Sequence, residues 1–323
     1  MASPASPAPS AATVHHLPVD AALDARLFQS LSQRALPIDP ARLPQLSPAA
    51  AKLASTDVNE IASAREFCRL IEHEPAVVAR LIGLANSVAF GLPGKRFNTL
   101  EQALMRIGLH QSVLISLALL CSQSIGTAVS ARWRSALWAH ALCTAALCHK
   151  IARELGSCEP NDAYLGGLIY DIGLMAVECV QGGTLDALEA AALAEGRTLR
   201  EVEDERVGAV RDELARHLLT NWSVPSRIID AVCTRALPKM QRDSMPAVLW
   251  CADRLARARP LVEAVYADDE PPFDLAICSE QNLPEAFRSV CSLSPIEVQK
   301  IQERVAGQVQ ALRAMASMFA HVH

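Results

Sequence analysis

The sequence predicts an all-helical protein, and three observations lead to this prediction. Of the 323 residues 51% are hydrophobic and only 4% aromatic, with alanine and leucine dominating. Alanine and leucine lose little rotamer freedom in a helix, so this bias favours helices. Runs of β-branched residues that alternate with polar ones, the usual strand signal, are nearly absent. The third observation is that helix start signals recur along the chain.

These start signals are of two kinds. In a capping box a hydroxyl side chain accepts a hydrogen bond from a free backbone N–H group of the first helical turn. A carboxylate or amide three residues later accepts one from the backbone N–H of the hydroxyl residue. Proline near a first helical turn loses nothing, because its missing N–H would have no partner there. The capping boxes are Ser63–Glu66, Thr99–Gln102 and Thr198–Glu201, and the proline signals are Ser47-Pro48, Ser244-Met-Pro246 and Ser294-Pro295.

The order of these signals predicts two packed helical subdomains with a boundary between residues 125 and 131. Residues 1–18 are rich in Ala, Ser and Pro and are expected to be a disordered leader. The subdomains are predicted at 19–130 and 131–260. Residues 261–323 are expected to form a loop, acidic and proline-rich over Asp268–Pro272, and then a helix that packs on the body of the protein.

That last helix is predicted to start near Pro295 and to carry one apolar stripe. Its apolar residues recur every three or four positions. Packing on the body of the same chain is the preferred interpretation, and a homodimer seam is the alternative. The stripe consists of Ile301, Val305, Val309, Leu312, Met315 and Phe319.

Composition excludes several classes of protein. The net charge of −5 and the pI of about 6.0 do not suggest a nucleic-acid binder, which usually has a basic excess. The ten cysteines include no C-x-x-C pair, so free thiols in a reducing cytosol are expected. The N-terminus lacks the basic region followed by an apolar core that marks a secretion signal. The apolar window Val113–Cys121 is too short to span a bilayer. A cytoplasmic protein that binds neither membrane nor nucleic acid is the expectation.

Two short motifs indicate close packing and a braced loop. Gly166 and Gly167 lie inside a helical pattern, where each costs about 1 kcal/mol relative to alanine, so another helix is expected to come close. Asn86 and Ser87 end an apolar helix before a glycine- and proline-rich stretch. Asn86 is interpreted as a capping or loop-bracing amide rather than a ligand contact.

The segment from Leu43 to Asp253 resembles the HDOD family, the output-domain relatives of the HD phosphohydrolases. Several fragments carry the resemblance in the family's order and with compatible spacing. The opening element is Leu43-Pro-Gln-Leu-Ser-Pro48. The others are Ile71–Pro75 with Leu81–Ser87, Thr99–Gly108, Trp138-Ala-His140 with Gly166–Gly173, Asn221-Trp222-Ser-Val-Pro225, and Ala252-Asp253.

The resemblance implies where a metal site would lie. HD enzymes hold a divalent metal with a histidine, an adjacent His-Asp pair and a later aspartate. By motif, His140, Asp171 and Asp253 are the remnant positions. The histidine of the pair is replaced by Tyr170, whose phenol is a poor ligand at neutral pH. Histidines that more complete relatives carry fall at Arg211 and near Arg235.

These replacements predict that no metal and no other cofactor is bound. A guanidinium group cannot coordinate a metal ion, and its positive charge repels one. His140 is then a core histidine bonded to a carboxylate or carbonyl. We predict that Arg211 reaches the former metal position and bonds Asp171, Asp253 or both, with Tyr170 beside it and its hydroxyl finding an acceptor. The alternative is a solvent-facing Arg211 paired loosely with Glu205 or Glu213.

By analogy with the family, the expected function is non-catalytic bacterial signal transduction through protein partners. Second-messenger or two-component control of motility, biofilm, stress or virulence is the implied setting. An alternative is a nucleotide or phosphate sensor that uses Arg211, Arg235 and His140 in the former metal cleft. A residual metal-dependent phosphohydrolase is the third possibility.

Overall fold

The computed structural model describes residues 43–55, 61, 63–86, 96–126, 128–235, 241–258, 261–263, 285–308, 312 and 316. All secondary-structure elements assigned within these ranges are α-helices. The all-helical prediction is therefore confirmed. The proposed leader, Ser87 and the acidic loop Asp268–Pro272 lie outside the described residues.

The helices are numbered here in chain order. The part before residue 130 contains α1 Pro48–Ser55, α2 Ala64–Ile71, α3 Pro75–Ala85, α4 Leu100–Ile107 and α5 Leu109–Ile125. The middle part contains α6 Ala131–Leu155, α7 Pro160–Leu168, α8 Ile172–Val180, α9 Thr184–Glu195, α10 Leu199–Arg206, α11 Gly208–Asn221, α12 Ser226–Val232 and α13 Met245–Ala256. The last two are α14 Glu285–Val290 and α15 Pro295–Ala306.

The predicted helix starts agree with the observed ones. Complete capping boxes begin α10 at Thr198 and α15 at Ser294. Ser63 and Thr99 accept a hydrogen bond from the backbone N–H three residues later, at the starts of α2 and α4. Ser47 does the same for Ala50 at 3.2 Å. Local sequence therefore determines where these helices begin.

The 25-residue helix α6 is the centre of the fold. It packs against α7, α13 and α15, while α8 packs against α11. Gly167 allows the close approach of α7 to α6, because a Cβ there would lie 2.7 Å from Cys148 Sγ and 2.8 Å from Ala145 Cα. A Cβ on Gly166 would meet Leu249 of α13 at 3.0 Å. The close helix packing inferred for both glycines is thus observed.

The predicted subdomain boundary coincides with a gap between two helices. Helix α5 ends at Ile125 and α6 begins at Ala131. One hydrophobic cluster nevertheless runs through both parts, from Leu43 to Ala316. The division into two subdomains stays a prediction.

Part of the C-terminal stripe packs on the same chain. Ile301, Val305 and Leu312 are buried in the common core, and α15 packs against α6. This agrees with the preferred interpretation of the stripe. Val309, Met315 and Phe319 lie outside the described residues.

One stretch of the described chain, Pro160–Val180, has the length and hydropathy of a membrane span. Its apolar window is 94% buried inside the fold, so core packing accounts for its hydropathy. A second stretch qualifies only if α4 and α5 are joined across their 111° bend. Both are weak indications of a membrane segment.

Candidate functional site

Three side chains with metal-ligand chemistry meet at the centre of the molecule. His140 comes from the middle of α6, Asp171 from the turn between α7 and α8, and Asp253 from α13. One ligand atom from each lies within 4.8 Å of the others. His140 Nε2 is 3.0 Å from Asp253 Oδ1 and 3.3 Å from Asp171 Oδ2. The fold therefore brings together the three remnant positions that the resemblance implied.

His140 has the environment of a core histidine bonded to a carboxylate. With its proton on Nε2, it donates to Asp253, and Thr144 Oγ1 lies 3.2 Å from the same nitrogen. Its side chain is 14% exposed. This geometry agrees with the structural interpretation of His140.

Arg257 bridges the two aspartates. Its Nη2 donates to Asp171 Oδ2 at 2.7 Å, and its Nε donates to Asp253 Oδ1 at 3.0 Å. Asp171 and Asp253 are 1% and 0% exposed, so both charges depend on such partners. A cation held between two carboxylates is the role that a metal has in an HD site. Here a guanidinium at the C-terminal end of α13 has that role.

Arg235 binds the other side of Asp171. Its Nη1 donates to Asp171 Oδ1 at 3.3 Å, its Nη2 donates to the carbonyl of Tyr170, and its side chain is 5% exposed. Its guanidinium lies 3.7 Å from the centre of the Tyr170 ring, a cation–π contact. Arg235 therefore contacts both the backbone and the ring of Tyr170.

The buried ring of Tyr170 packs against the guanidinium groups of Arg200 and Arg235. Its hydroxyl is buried and makes no hydrogen bond within the described residues. Burial raises its pKa to about 12, although Arg235 and Arg200 oppose the shift. The prediction that this hydroxyl finds an acceptor was wrong, because the aromatic face and not the oxygen meets the neighbouring charges.

The prediction for Arg211 was also wrong. Its side chain is 2% exposed, as expected, but its partners are Glu203, Asp204 and Asp212 rather than Asp171 or Asp253. Arg211 donates to Glu203 through Nη1, to Asp204 at 2.9 Å and to Asp212 at 3.0 Å. The alternative pairing with Glu205 or Glu213 in solvent is not observed either. Arg211 therefore belongs to an outer layer of the same cluster.

Gly173 allows α8 and α11 to pack closely at Arg211. A Cβ on Gly173 would lie 2.3 Å from the carbonyl oxygen of Arg211 and 3.0 Å from its Cγ. The backbones of α8 and α11 are thus in direct contact. The Arg211 side chain extends to α10, where it pairs with Glu203 and Asp204.

Arg200 connects the two layers. It donates to Glu203 at 3.1 Å and to Asp204 at 3.2 Å, on its own helix α10. It also lies 3.6 Å from Asp171 and 3.7 Å from Asp253. Its side chain is 2% exposed. Arg200 is a fixed cation that the motif comparison missed.

The buried arginines control the ionisation of the two aspartates. Burial would by itself raise the pKa of Asp171, but Arg257, with help from His140 and Arg235, holds it below its ordinary value. Burial also opposes ionisation of Asp253, and Arg200 and Arg257 hold its pKa well below the usual range. Both carboxylates are therefore ionised at neutral pH.

The residues present do not fit a divalent metal. Three of the four aspartate oxygens already face a guanidinium or His140 within 3.3 Å. Besides His140, the ion-paired cluster contains five arginines and five carboxylates, and these ten side chains balance in charge without a metal. Its members are Arg200, Arg211, Arg235, Arg254, Arg257, Asp171, Glu203, Asp204, Asp212 and Asp253. A dication would add uncompensated charge beside fixed cations, which opposes binding.

The other sequence motifs have structural roles. Asn86 Nδ2 donates to the carbonyls of Ile82 and Phe97, and Asn86 Oδ1 accepts from the Phe97 N–H at 2.8 Å. Asn86 therefore connects the end of α3 to Phe97, ahead of α4. Trp222 is 2% exposed, and its Nε1 donates at 3.1 Å to the carbonyl of Pro44, which connects α11 to the start of the described chain.

Comparison with known proteins agrees with this fold. The family model of the HDOD domain matches residues 43–237. A candidate signal transduction protein from Marinobacter aquaeolei VT8 has a TM-score of 0.67 and 18% identity. The alignment covers 93% of this chain and 66% of that one, slightly under two thirds of its length. No curated protein sequence matches the chain.

Two further solved structures are similar over nearly their whole length. An HDOD domain protein of unknown function from Geobacter sulfurreducens has a TM-score of 0.62 and 19% identity, covering 93% of this chain and 99% of that one. A candidate phosphohydrolase from Shewanella amazonensis SB2B has a TM-score of 0.57 and 20% identity, covering 91% and 98%. At these identities the similarity shows a shared fold.

Proposed function

The chain belongs to the HDOD family, and from this premise we propose that it is a bacterial signalling protein that acts through protein contacts and has no phosphohydrolase activity. A regulatory role is what family membership supports. The geometry of the site supports the absence of catalysis.

The bridge made by Arg257 is the observation that carries the proposal. Metal-dependent hydrolysis needs a cation with open coordination positions to activate water. In this cluster the cation between Asp171 and Asp253 is a guanidinium, which has no open coordination position and no acidic bound water. The aspartate pair therefore has a structural role and not a catalytic one.

The same geometry weighs against the nucleotide or phosphate sensor. A phosphate site needs arginine N–H groups that are free to receive the ligand. Arg211 and Arg235 are 2% and 5% exposed, and their guanidiniums already donate to carboxylates and a carbonyl. Binding a phosphate there would require breaking buried ion pairs.

The partner is accordingly proposed to be a protein of a cytoplasmic signalling pathway, with no membrane or nucleic-acid target. Control of motility, biofilm, stress or virulence traits through second messengers or two-component systems is the setting that the family suggests.

Activity and metal content test the non-catalytic half of the proposal. Purified full-length protein is incubated with Mn²⁺ and cyclic dinucleotides or simple phosphate esters, and elemental analysis is run on the same sample. We expect no stoichiometric iron, manganese, zinc or nickel, and the same background rate for wild type and Asp171→Asn. One tightly held ion per chain, or turnover that Asp171→Asn abolishes, contradicts the proposal.

Partner capture tests the other half. Tagged protein is used to isolate partners from the native organism, and the leading candidate is purified and mixed with the chain. We expect a stoichiometric complex that forms without nucleotide or phosphate. A complex that forms only with such a ligand, and that Arg235→Ala prevents, supports the sensor instead.

A further inference from the structure

Four charged side chains form a closed ring between helices α10 and α13. Arg200 and Glu203 lie on α10, Asp253 lies on α13, and Arg257 directly follows α13. Each arginine contacts both carboxylates, so the charges alternate in sign around the ring. We call these four residues the charge ring. Only Arg257 reaches the surface, at 15% exposure, whereas the other three side chains are at most 2% exposed.

Short and long contacts alternate around the charge ring. Arg200 donates to Glu203 at 3.1 Å, and Arg257 donates to Asp253 at 3.0 Å. The other two edges are longer. Arg257 Nη2 lies 3.6 Å from Glu203 Oε2, and Arg200 Nε lies 3.7 Å from Asp253 Oδ2. These separations are too long for a direct hydrogen bond, and polar groups at such distances are often joined by a water molecule.

The carboxylate oxygens on the long edges are the ones that lack a hydrogen bond. Glu203 Oε2 and Asp253 Oδ2 are buried, and neither accepts from any residue that the structure describes. The other oxygen of each carboxylate does accept. Glu203 Oε1 accepts from Arg200, and Asp253 Oδ1 accepts from Arg257. A buried carboxylate oxygen without a donor costs free energy, so both oxygens call for a donor that fits between the four side chains.

We propose that one internal water molecule occupies the charge ring and donates hydrogen bonds to Glu203 Oε2 and Asp253 Oδ2. A water molecule has two O–H donors and two lone pairs. The donors match the two carboxylate oxygens, and the lone pairs match the arginine N–H groups on the long edges. Buried waters with about three polar partners are a regular part of protein interiors. This inference concerns a structural ligand and is independent of the proposed signalling partner.

The charges of the ring select a neutral ligand. A monovalent cation would lie beside two guanidinium groups that already compensate the carboxylates, so its charge would be repelled. An anion would be repelled by the two carboxylates in the same way. A ligand larger than water would have to displace side chains that are almost fully buried and paired. Water is the small neutral donor that meets all three conditions.

High-resolution diffraction from crystals of the full-length protein tests the proposal. The crystals are grown without ammonium and with Rb⁺, so that a bound monovalent cation gives an anomalous peak. We expect a peak without anomalous signal within about 3.2 Å of both Glu203 Oε2 and Asp253 Oδ2. An anomalous peak at that position, or the lack of any density that bonds both oxygens, overturns the proposal.

Magnetic relaxation dispersion of the water oxygen supplies a second readout in solution, because its amplitude counts long-lived internal waters. The double variant Arg200→Met with Glu203→Met removes one charge of each sign and half of the charge ring. Its amplitude should be lower by about one water molecule. The matched control, Arg216→Met with Asp230→Met, removes an exposed ion pair and should leave the amplitude unchanged. An unchanged amplitude in the ring variant contradicts the proposal, and the wild-type crystals decide independently of how either variant folds.

Discussion

The helices before residue 130 and those after it use similar apolar side chains but have different interiors. In the described part of α1 to α5, the buried polar residues are Ser112, Ser116 and Ser122, and no charged side chain is buried. From α6 to α13 the interior contains paired aspartates, glutamates and arginines. In the described part of the first region, the interior is therefore apolar apart from these three hydroxyls. In the second region, buried carboxylates are compensated by arginines that lie beside them.

The largest effect is expected at Arg257. Its removal leaves Asp171 and Asp253 buried with less compensating charge, so Arg257→Ala should lower the free energy of unfolding by about 3 to 5 kcal/mol. Chemical denaturation at neutral pH measures the loss. Combining Arg257→Ala with Asp171→Asn should recover part of it, because the orphaned charge is gone. Losses that simply add would mean that the bridge does not couple the two residues.

Leu81→Ala probes the other region. Leu81 lies in α3, is fully buried and packs only in the apolar core. The variant should lose about 3 kcal/mol from transfer and cavity terms. The same loss is expected in an Asp171→Asn background, since the two residues share no ion pair. A coupling free energy above about 1 kcal/mol between the two substitutions would show that the two interiors are not energetically independent.

Acid should destabilise the second region first. The pKa values of Asp171 and Asp253 are lower in the folded chain than in the unfolded one. Their stabilisation is therefore complete above the unfolded value near pH 4 and is lost as the pH falls below it. Each extra proton bound by the unfolded chain adds a slope of about 1.4 kcal/mol per pH unit. Denaturation between pH 6 and 3 should show a shallower slope for Asp171→Asn. Identical slopes would indicate that Asp171 does not carry the linkage.

The smallest effect is expected for an exposed ion pair. Arg216 and Asp230 form a 2.9 Å pair whose side chains are 52% and 67% exposed. Arg216→Ala should cost under about 1 kcal/mol, and salt should remove most of the difference. A loss comparable to that of Arg257→Ala would show that burial does not decide the value of an ion pair in this chain.

The helical fold and its close contacts could be predicted because they depend on local signals. Thr198 forms the capping box that its spacing predicts, and Ser294-Pro295 begins α15 as its proline signal predicts. Gly167 lies at the close helix contact that a missing Cβ permits. Asn86 is a capping amide that bonds Phe97, as its place at a helix end suggested. In each case the deciding physics lies within a few residues or in a single side-chain volume.

The partner of each arginine could not be predicted in the same way. Arg211 and Arg235 were identified as replacements of metal-binding histidines, but which carboxylate each one meets depends on tertiary packing: Arg211 pairs with Glu203, Asp204 and Asp212, and Arg235 with Asp171. The i,i+4 spacing of Asp253 and Arg257 was a signal that could have been used. Arg200 shares that spacing with Asp204, yet its proximity to Asp171 arises only from tertiary packing.

Diffraction from crystals grown with Mn²⁺, recorded for anomalous scattering, tests most directly whether arginine has replaced the metal. We predict the guanidinium of Arg257 between Asp171 and Asp253, and no anomalous peak beside His140. A manganese peak within about 2.2 Å of His140 Nε2 and both aspartates, with Arg257 displaced, would contradict the account.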